Sequence, residues 1–245
     1  MDSLYDDADL YDLVAPRDDE MERFYVEAAG GPGRTVLELA CGSGRITAPL
    51  ARSGAEVTGV DISATMLDRA RAVLAGSAAE LVEADMRELD LGRRFDTVVV
   101  AANSLLHLHT REDFVRAFSA VRRHLASGGR LAFDIFVPSP RLLSLRQNER
   151  QLLGVFGHPE RGEVAIEETI AYDPITQVSR ADWYWSTAAA PDFRHTQLEM
   201  RQVFPQELPL LLELGGLRLE ARYGGFDRSP LTPQSRRQVC VAVAA

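Results

Sequence analysis

The spacing of apolar positions divides the chain into three stretches. Residues 18–29 carry Met21, Phe24, Tyr25 and Ala28 at helical spacing, with acids in the first turn, which predicts an N-terminal helix. From Thr35 the pattern becomes short apolar runs alternating with amphipathic segments: TVLELA, RITAPLARSG, EVTGVD, SATMLDRARAVL, AELVEAD, then FDTVVVAA, REDFVRAFSAVRRHL and GRLAFDIFV. Near-continuous apolar strands separated by helices predict a parallel sheet covered on both faces. In the helix after residue 109, Thr110 and Asp113 form a capping pattern.

After Val137 the period changes to two. Residues 163–187 alternate around Asp173-Pro174 and residues 194–203 alternate again, which predicts an antiparallel ribbon of about three strands. The tail returns to a helix, QELPLLLELGG, stopped by Gly215-Gly216, and two strands, LRLEARYG and RQVCVAVA. The expected division is 1–137 for an N-terminal cap and cofactor-binding core, 138–203 for an inserted ribbon or lid, and 204–245 for the rest of the core sheet.

Composition narrows the class. A chain of 245 residues, 46% hydrophobic and 26% charged, can bury a core without staples. Two cysteines, Cys41 and Cys240, in no ligand spacing predict neither a zinc site nor a disulfide framework, and a reducing compartment, the cytoplasm, is the simplest reading. The acidic start and the lack of an eighteen-residue apolar run argue against export and membrane spanning. All 27 basic residues are Arg and the net charge is −9, so a nucleic-acid footprint is not expected and Schiff-base chemistry has no lysine to use.

The densest chemical signal is VLELACGSGR, residues 36–45. A strand carrying Glu38 turns through Ala40, Gly42 and Gly44, letting backbone approach a ligand closely. Asp61 ends the next strand seventeen residues after Gly44, where a carboxylate can accept both hydroxyls of a ribose. Asp85 ends the third, placed to accept an adenine amino group. No Gly-Lys-Ser/Thr follows the turn, and the third glycine of a dinucleotide fingerprint is missing, which disfavours nucleotide phosphates and a nicotinamide oxidoreductase. Three acids suit an uncharged nucleoside, and that points to S-adenosylmethionine.

ELACGSG, GVDIS and EADM resemble class I S-adenosylmethionine-dependent methyltransferases over nearly the whole chain, with Ala40 where the family usually has Gly. The resemblance implies an α/β Rossmann-like fold with a seven-stranded sheet in the order 3-2-1-4-5-7-6. It also implies Glu38 near the methionine amine, Asp61 on the ribose, Ile62 against adenine, Asp85 and Met86 at its edge, and Met66 and Ala101 among the cofactor residues. LYDLVAPRDDE is similar to the N-terminal cap of glycine and nucleotide-amino-sugar N-methyltransferases, which implies Tyr11 and Arg17 on the cofactor carboxylate. AANSLLHLH resembles a segment of the same enzymes that faces cofactor and substrate, mapping onto Asn103, Ser104 and His107.

In-line methyl transfer depends mainly on alignment and exclusion of water. An amine acceptor needs only the loss of an ammonium proton, and His107 is the candidate base, weighed against the commoner role of a histidine in an apolar run as a packed core residue. Trp183, Trp185 and His195 in the ribbon are candidate acceptor walls, weighed against plain ribbon packing. The reading is a metal-independent methyltransferase for a small-molecule acceptor, N-directed, yielding S-adenosylhomocysteine. An O-methyltransferase and a non-catalytic S-adenosylmethionine-binding protein stay open, as does a homodimer through the ribbon, since ribbons also serve as lids.

Overall fold

The computed structural model describes residues 2–139 and 149–245. In chain order these form strands β1 (Asp2–Ser3), β2 (Thr35–Leu39), β3 (Glu56–Asp61), β4 (Glu80–Glu83), β5 (Phe95–Val100), β6 (Leu125–Phe136), β7 (Gln151–His158), β8 (Gly162–Asp173), β9 (Val178–Ser186), β10 (Arg194–Arg201), β11 (Leu217–Tyr223) and β12 (Arg237–Ala244). The helices are α1 (Ala8–Val14), α2 (Asp19–Ala29), α3 (Thr47–Arg52), α4 (Ala64–Val73), α5 (Arg111–His124) and α6 (Leu208–Leu214).

Two compact units result, Met1–Pro16 with Pro138–Gln202, and Arg17–Val137 with Val203–Ala245. The larger unit holds the seven-stranded sheet, ordered β11-β12-β6-β5-β2-β3-β4. Counted along that unit, this is the expected 3-2-1-4-5-7-6. Strands β4, β3, β2, β5 and β6 run parallel, and β12 is antiparallel to both β6 and β11. The central strands are buried almost throughout, as near-continuous apolar runs require.

The helix boundaries follow from their caps. Asp18 accepts hydrogen bonds from the amides of Glu20 and Met21 to start α2, and Gly30, left-handed at φ 83°, ends it. At α5 the Thr110 and Asp113 side chains each accept the other's backbone amide, the capping box the sequence announces, and Arg122, Arg123 and His124 fill the last turn.

The smaller unit is a five-stranded sheet, β1-β10-β9-β8-β7, rather than a ribbon of three strands. The Asp173-Pro174 turn joins β8 to β9, and the Asp173 carboxylate accepts from the Ile175 amide and the Thr176 hydroxyl. β7 hides from a period-two reading because its pairing with β8 shifts register between Leu152 and Gly154. β1, two residues long, runs parallel to β10, so the first sixteen residues group with this sheet and not with the core. Leu4, Leu10, Val164, Ile166 and Trp185 form its own apolar core. Among the described residues no helix is long and apolar enough to cross a membrane.

Candidate active site

The loops leaving the carboxyl ends of β2, β3 and β4 converge on one cavity of about 210 Å³, lined by Ala40, Asp61, Ile62, Ala84, Asp85, Met86, Arg87, His107 and Leu108. Six of these, Ala40, Asp61, Ile62, Asp85, Met86 and His107, are nominated by the sequence. A larger open groove of about 960 Å³ lies at the opposite strand ends, around Thr35 and Glu56, and none of the nominated residues lines it.

The turn after β2 is a left-handed path. Ala40 has φ 54°, a conformation that strains any residue with a Cβ, and Gly44 has φ 83°. A Cβ on Gly44 would also stand 3.3 Å from the Ala70 Cβ of α4, so this glycine permits both the turn and the close approach of the helix. The Gly42 amide is not left open to a ligand: it donates to Asp61 Oδ2 at 2.8 Å. The Ser63 amide donates to Asp61 Oδ1 at 2.9 Å, so one carboxylate ties the turn after β2 to the turn after β3. Burial raises the Asp61 pKa, while the amides of Ser63, Gly42 and Ile62 pull it down.

Glu38 sits beneath this turn rather than in the cavity wall. It is 2% exposed, accepts the Thr47 hydroxyl at 2.6 Å, and burial pushes its carboxyl up to about 8 against that hydrogen bond, with the Asp61 charge adding to the rise. Asp85 is its opposite. Arg87 Nε and Nη2 reach the Asp85 carboxylate at 2.6–3.0 Å, and the other Arg87 nitrogen, Nη1, holds Asp113 at the start of α5 at 2.9 Å. The Arg87 guanidinium holds the Asp85 carboxyl below its ordinary range. Arg87 is a lining residue that sequence reading missed. The signal was its place two residues after Asp85, and only the approach of α5 brings Asp113 to it.

Ile62, two-thirds exposed, gives the cavity an aliphatic surface beside the Asp61 carboxylate. After β5, Ala102 (φ 56°) and Asn103 (φ 64°) are both left-handed, and a short 3₁₀ turn, Ser104–His107, brings His107 to the wall. The Ser104 hydroxyl donates to the Ala101 carbonyl at 2.7 Å.

Several nominated residues stand elsewhere. Met66 and Ala101, 1% and 5% exposed, are buried and are not among the residues that line this cavity. The Arg17 guanidinium is exposed and paired with Asp19 and Glu22. Tyr11, in the smaller unit, packs near Tyr5 with ring centroids 5.5 Å apart. Trp185 is wholly buried and donates to Thr196 Oγ1, which makes it a packing residue, whereas the half-buried Trp183 donates to Glu168. His195 pairs opposite Tyr184 and stacks on its ring at 4.5 Å, so it lies on the sheet face opposite the two tryptophans. The three cannot form one acceptor wall, because strand side chains alternate and the register assigns His195 to Tyr184's side.

The cavity is smaller than the roughly 300 Å³ at which whole-ligand pockets begin, which suits part of a ligand. Its acceptors, the carboxylates of Asp61 and Asp85 beside an aliphatic flank, fit a ribose and base, and among the described lining residues the one arginine already bridges two acids.

Comparison with known proteins gives the same answer. The methyltransferase domain family matches residues 36–129. Cypemycin N-terminal methyltransferase of a Streptomyces species is 35% identical over 219 residues, 85% of this chain and 82% of that protein. Putative methyltransferase YqeM of Bacillus subtilis (strain 168) is 39% identical over 113 residues, and the match spans only 46% of its length. The structure of the CcbJ methyltransferase from Streptomyces caelestis superposes with a TM-score of 0.84 at 29% identity, over 100% of this chain and 97% of that one.

Proposed function

We propose, since the chain belongs to the S-adenosylmethionine-dependent methyltransferases, that it transfers a methyl group to a nitrogen of a small-molecule acceptor and leaves S-adenosylhomocysteine. The observation that carries this reading is the convergence of Asp61, Ile62, Asp85 and Met86 from three successive strand ends on one cavity. S-adenosylmethionine, when bound, supplies an electrophilic methyl on a sulfonium. The chain's own residues supply position. Asp61 accepts the ribose hydroxyls, Ile62 and Met86 flank the base, and Asp85 accepts its amino group. Glu38, under the turn, lies toward the cofactor's amino-acid end, and Asn103 and Ser104 border the reacting side. Arg17, whose guanidinium is exposed, takes the cofactor carboxylate in place of Asp19, an inexpensive exchange because an exposed ion pair contributes little.

His107 shares a wall with Asp61 and Asp85, so contact with the nucleoside follows from its placement more directly than proton transfer from an acceptor. The preference for nitrogen draws its support from the cypemycin relative, whose name places methylation at an amino terminus, and from the low demand an amine makes on a base. The two buried cysteines, unpaired, support a cytoplasmic setting. Exposed Leu152 and Val155 on the edge strand β7 support pairing with a second copy.

Titration calorimetry with S-adenosylmethionine, followed by transfer of its labelled methyl to a panel of amines and alcohols, tests the reading. Binding and transfer to amines are expected. Transfer to alcohols alone would overturn the nitrogen preference, and binding without transfer to anything would make the protein a cofactor-binding partner.

A further inference from the structure

Strand β5 stops at Val100, paired with Phe133, while β6 continues to Phe136. Beyond Val100 the ladder no longer supplies an acceptor, and the chain enters the left-handed pair Ala102–Asn103. A side chain takes over. Asp134 Oδ1 accepts the Ala102 amide at 2.8 Å and the Tyr25 hydroxyl at 2.6 Å. The Asn103 amide also bonds this carboxylate, drawing its pKa down against the rise imposed by burial. Asp134 is 2% exposed and Tyr25 is fully buried, its ring edge-on to Phe24 at 5.3 Å and to Phe226 at 6.1 Å.

Packing does not call for a carboxylate here. The position lies between Phe133 and Ile135 in a buried strand, and an aliphatic residue would fill it without the desolvation penalty. What an aliphatic residue lacks is an acceptor for backbone amides that have left the ladder, in a conformation unfavourable for L-residues at two successive positions. We infer that Asp134, oriented by Tyr25, is a positioning residue that holds Ala102–Asn103 in the left-handed turn and so aims Asn103 at the bound cofactor. The inference rests on the proposed role of Asn103 beside S-adenosylmethionine.

The experiment combines calorimetry with S-adenosylhomocysteine and amide hydrogen exchange on the full chain. Failure of the unaltered protein to bind would defeat the cofactor reading, and the exchange measurement would still decide the clamp. Asp134→Leu removes the acceptor and keeps the branched outline of the side chain. Its Ala102 and Asn103 amides are expected to exchange at least about tenfold faster, relative to the amides of β2, and its affinity to fall about tenfold. Asp134→Asn keeps a carbonyl oxygen and is expected to stay within about threefold of the unaltered protein. Adding Ala102→Gly to Asp134→Leu is expected to recover affinity to within about threefold, because glycine adopts the turn unaided. A purely structural aspartate would show no such rescue. Unchanged exchange in Asp134→Leu, or weakened binding that Ala102→Gly leaves weak, overturns the inference. If Asp134→Leu does not fold, Tyr25→Phe makes the same exchange comparison, with a smaller rise of about threefold expected and no rise overturning it.

Discussion

The carboxylates at the tips of β3 and β4 face one cavity and are held in different proportions by backbone and side chain. Asp61 is nearly buried and gripped by two backbone amides, so its position is part of the fold. Asp85 is more exposed, and although the Arg87 amide donates to its Oδ1 at 2.8 Å, its other three hydrogen bonds come from the Arg87 guanidinium, a side chain that also serves α5. A buried acceptor cannot turn to water when its partners are lost, and an exposed one can. The two ends of the site should therefore differ sharply in their tolerance of mutation.

The largest contrast comes from Asp61→Ala. Two loop amides and the proposed ribose hydroxyls lose their acceptor together, and S-adenosylmethionine affinity is expected to fall about 100-fold, near 3 kcal/mol, by calorimetry. An unchanged dissociation constant would remove Asp61 from the ribose.

Next is the carboxyl beneath the turn. Glu38 has a folded-state pKa raised from the ordinary 4.5 to about 8, so between those values the folded chain keeps a proton that the unfolded chain releases. Its contribution to stability is complete below about pH 4.5 and is lost as pH rises through about 8. Melting temperature is expected to drop by about 3 °C per pH unit across that window, and Glu38→Gln should flatten the slope. A Gln variant with the parent's slope would assign the dependence to another group.

The smallest effect belongs to Arg87→Leu. Both of its acid partners reach water, so a loss of about 0.5–1 kcal/mol in stability and a change in cofactor affinity no greater than about threefold are expected. A loss as large as that of Asp61→Ala would erase the distinction between the two ends.

The strand tips of this site were legible in the sequence, and the rest depended on register and tertiary approach. Asp61 and Asp85 could be placed because a strand-turn-helix repeat fixes where each strand tip must fall, and the glycines mark the turn between. Arg87 could not, since its second partner, Asp113, lies on a helix whose approach no local pattern specifies. The ribbon failed for a related reason. Alternation alone places Trp183 and Trp185 on one face, but assigning His195 to a face requires knowing which residue of β9 stands opposite it. β1 and β7 were missed because two residues carry no period and a register shift breaks one. Asp134 was passed over inside the apolar run LAFDIF, where a single acid in a buried strand was itself the clue.

The double grip on Asp61 also sets a valence limit. An ionised carboxylate offers about four lone-pair sites, and the amides of Gly42, Ser63 and Ile62 already draw on them. What remains is confined to two oxygens fixed side by side, so a ligand reaches Asp61 best with hydroxyl groups spaced to match them, as the adjacent hydroxyls of a ribose are.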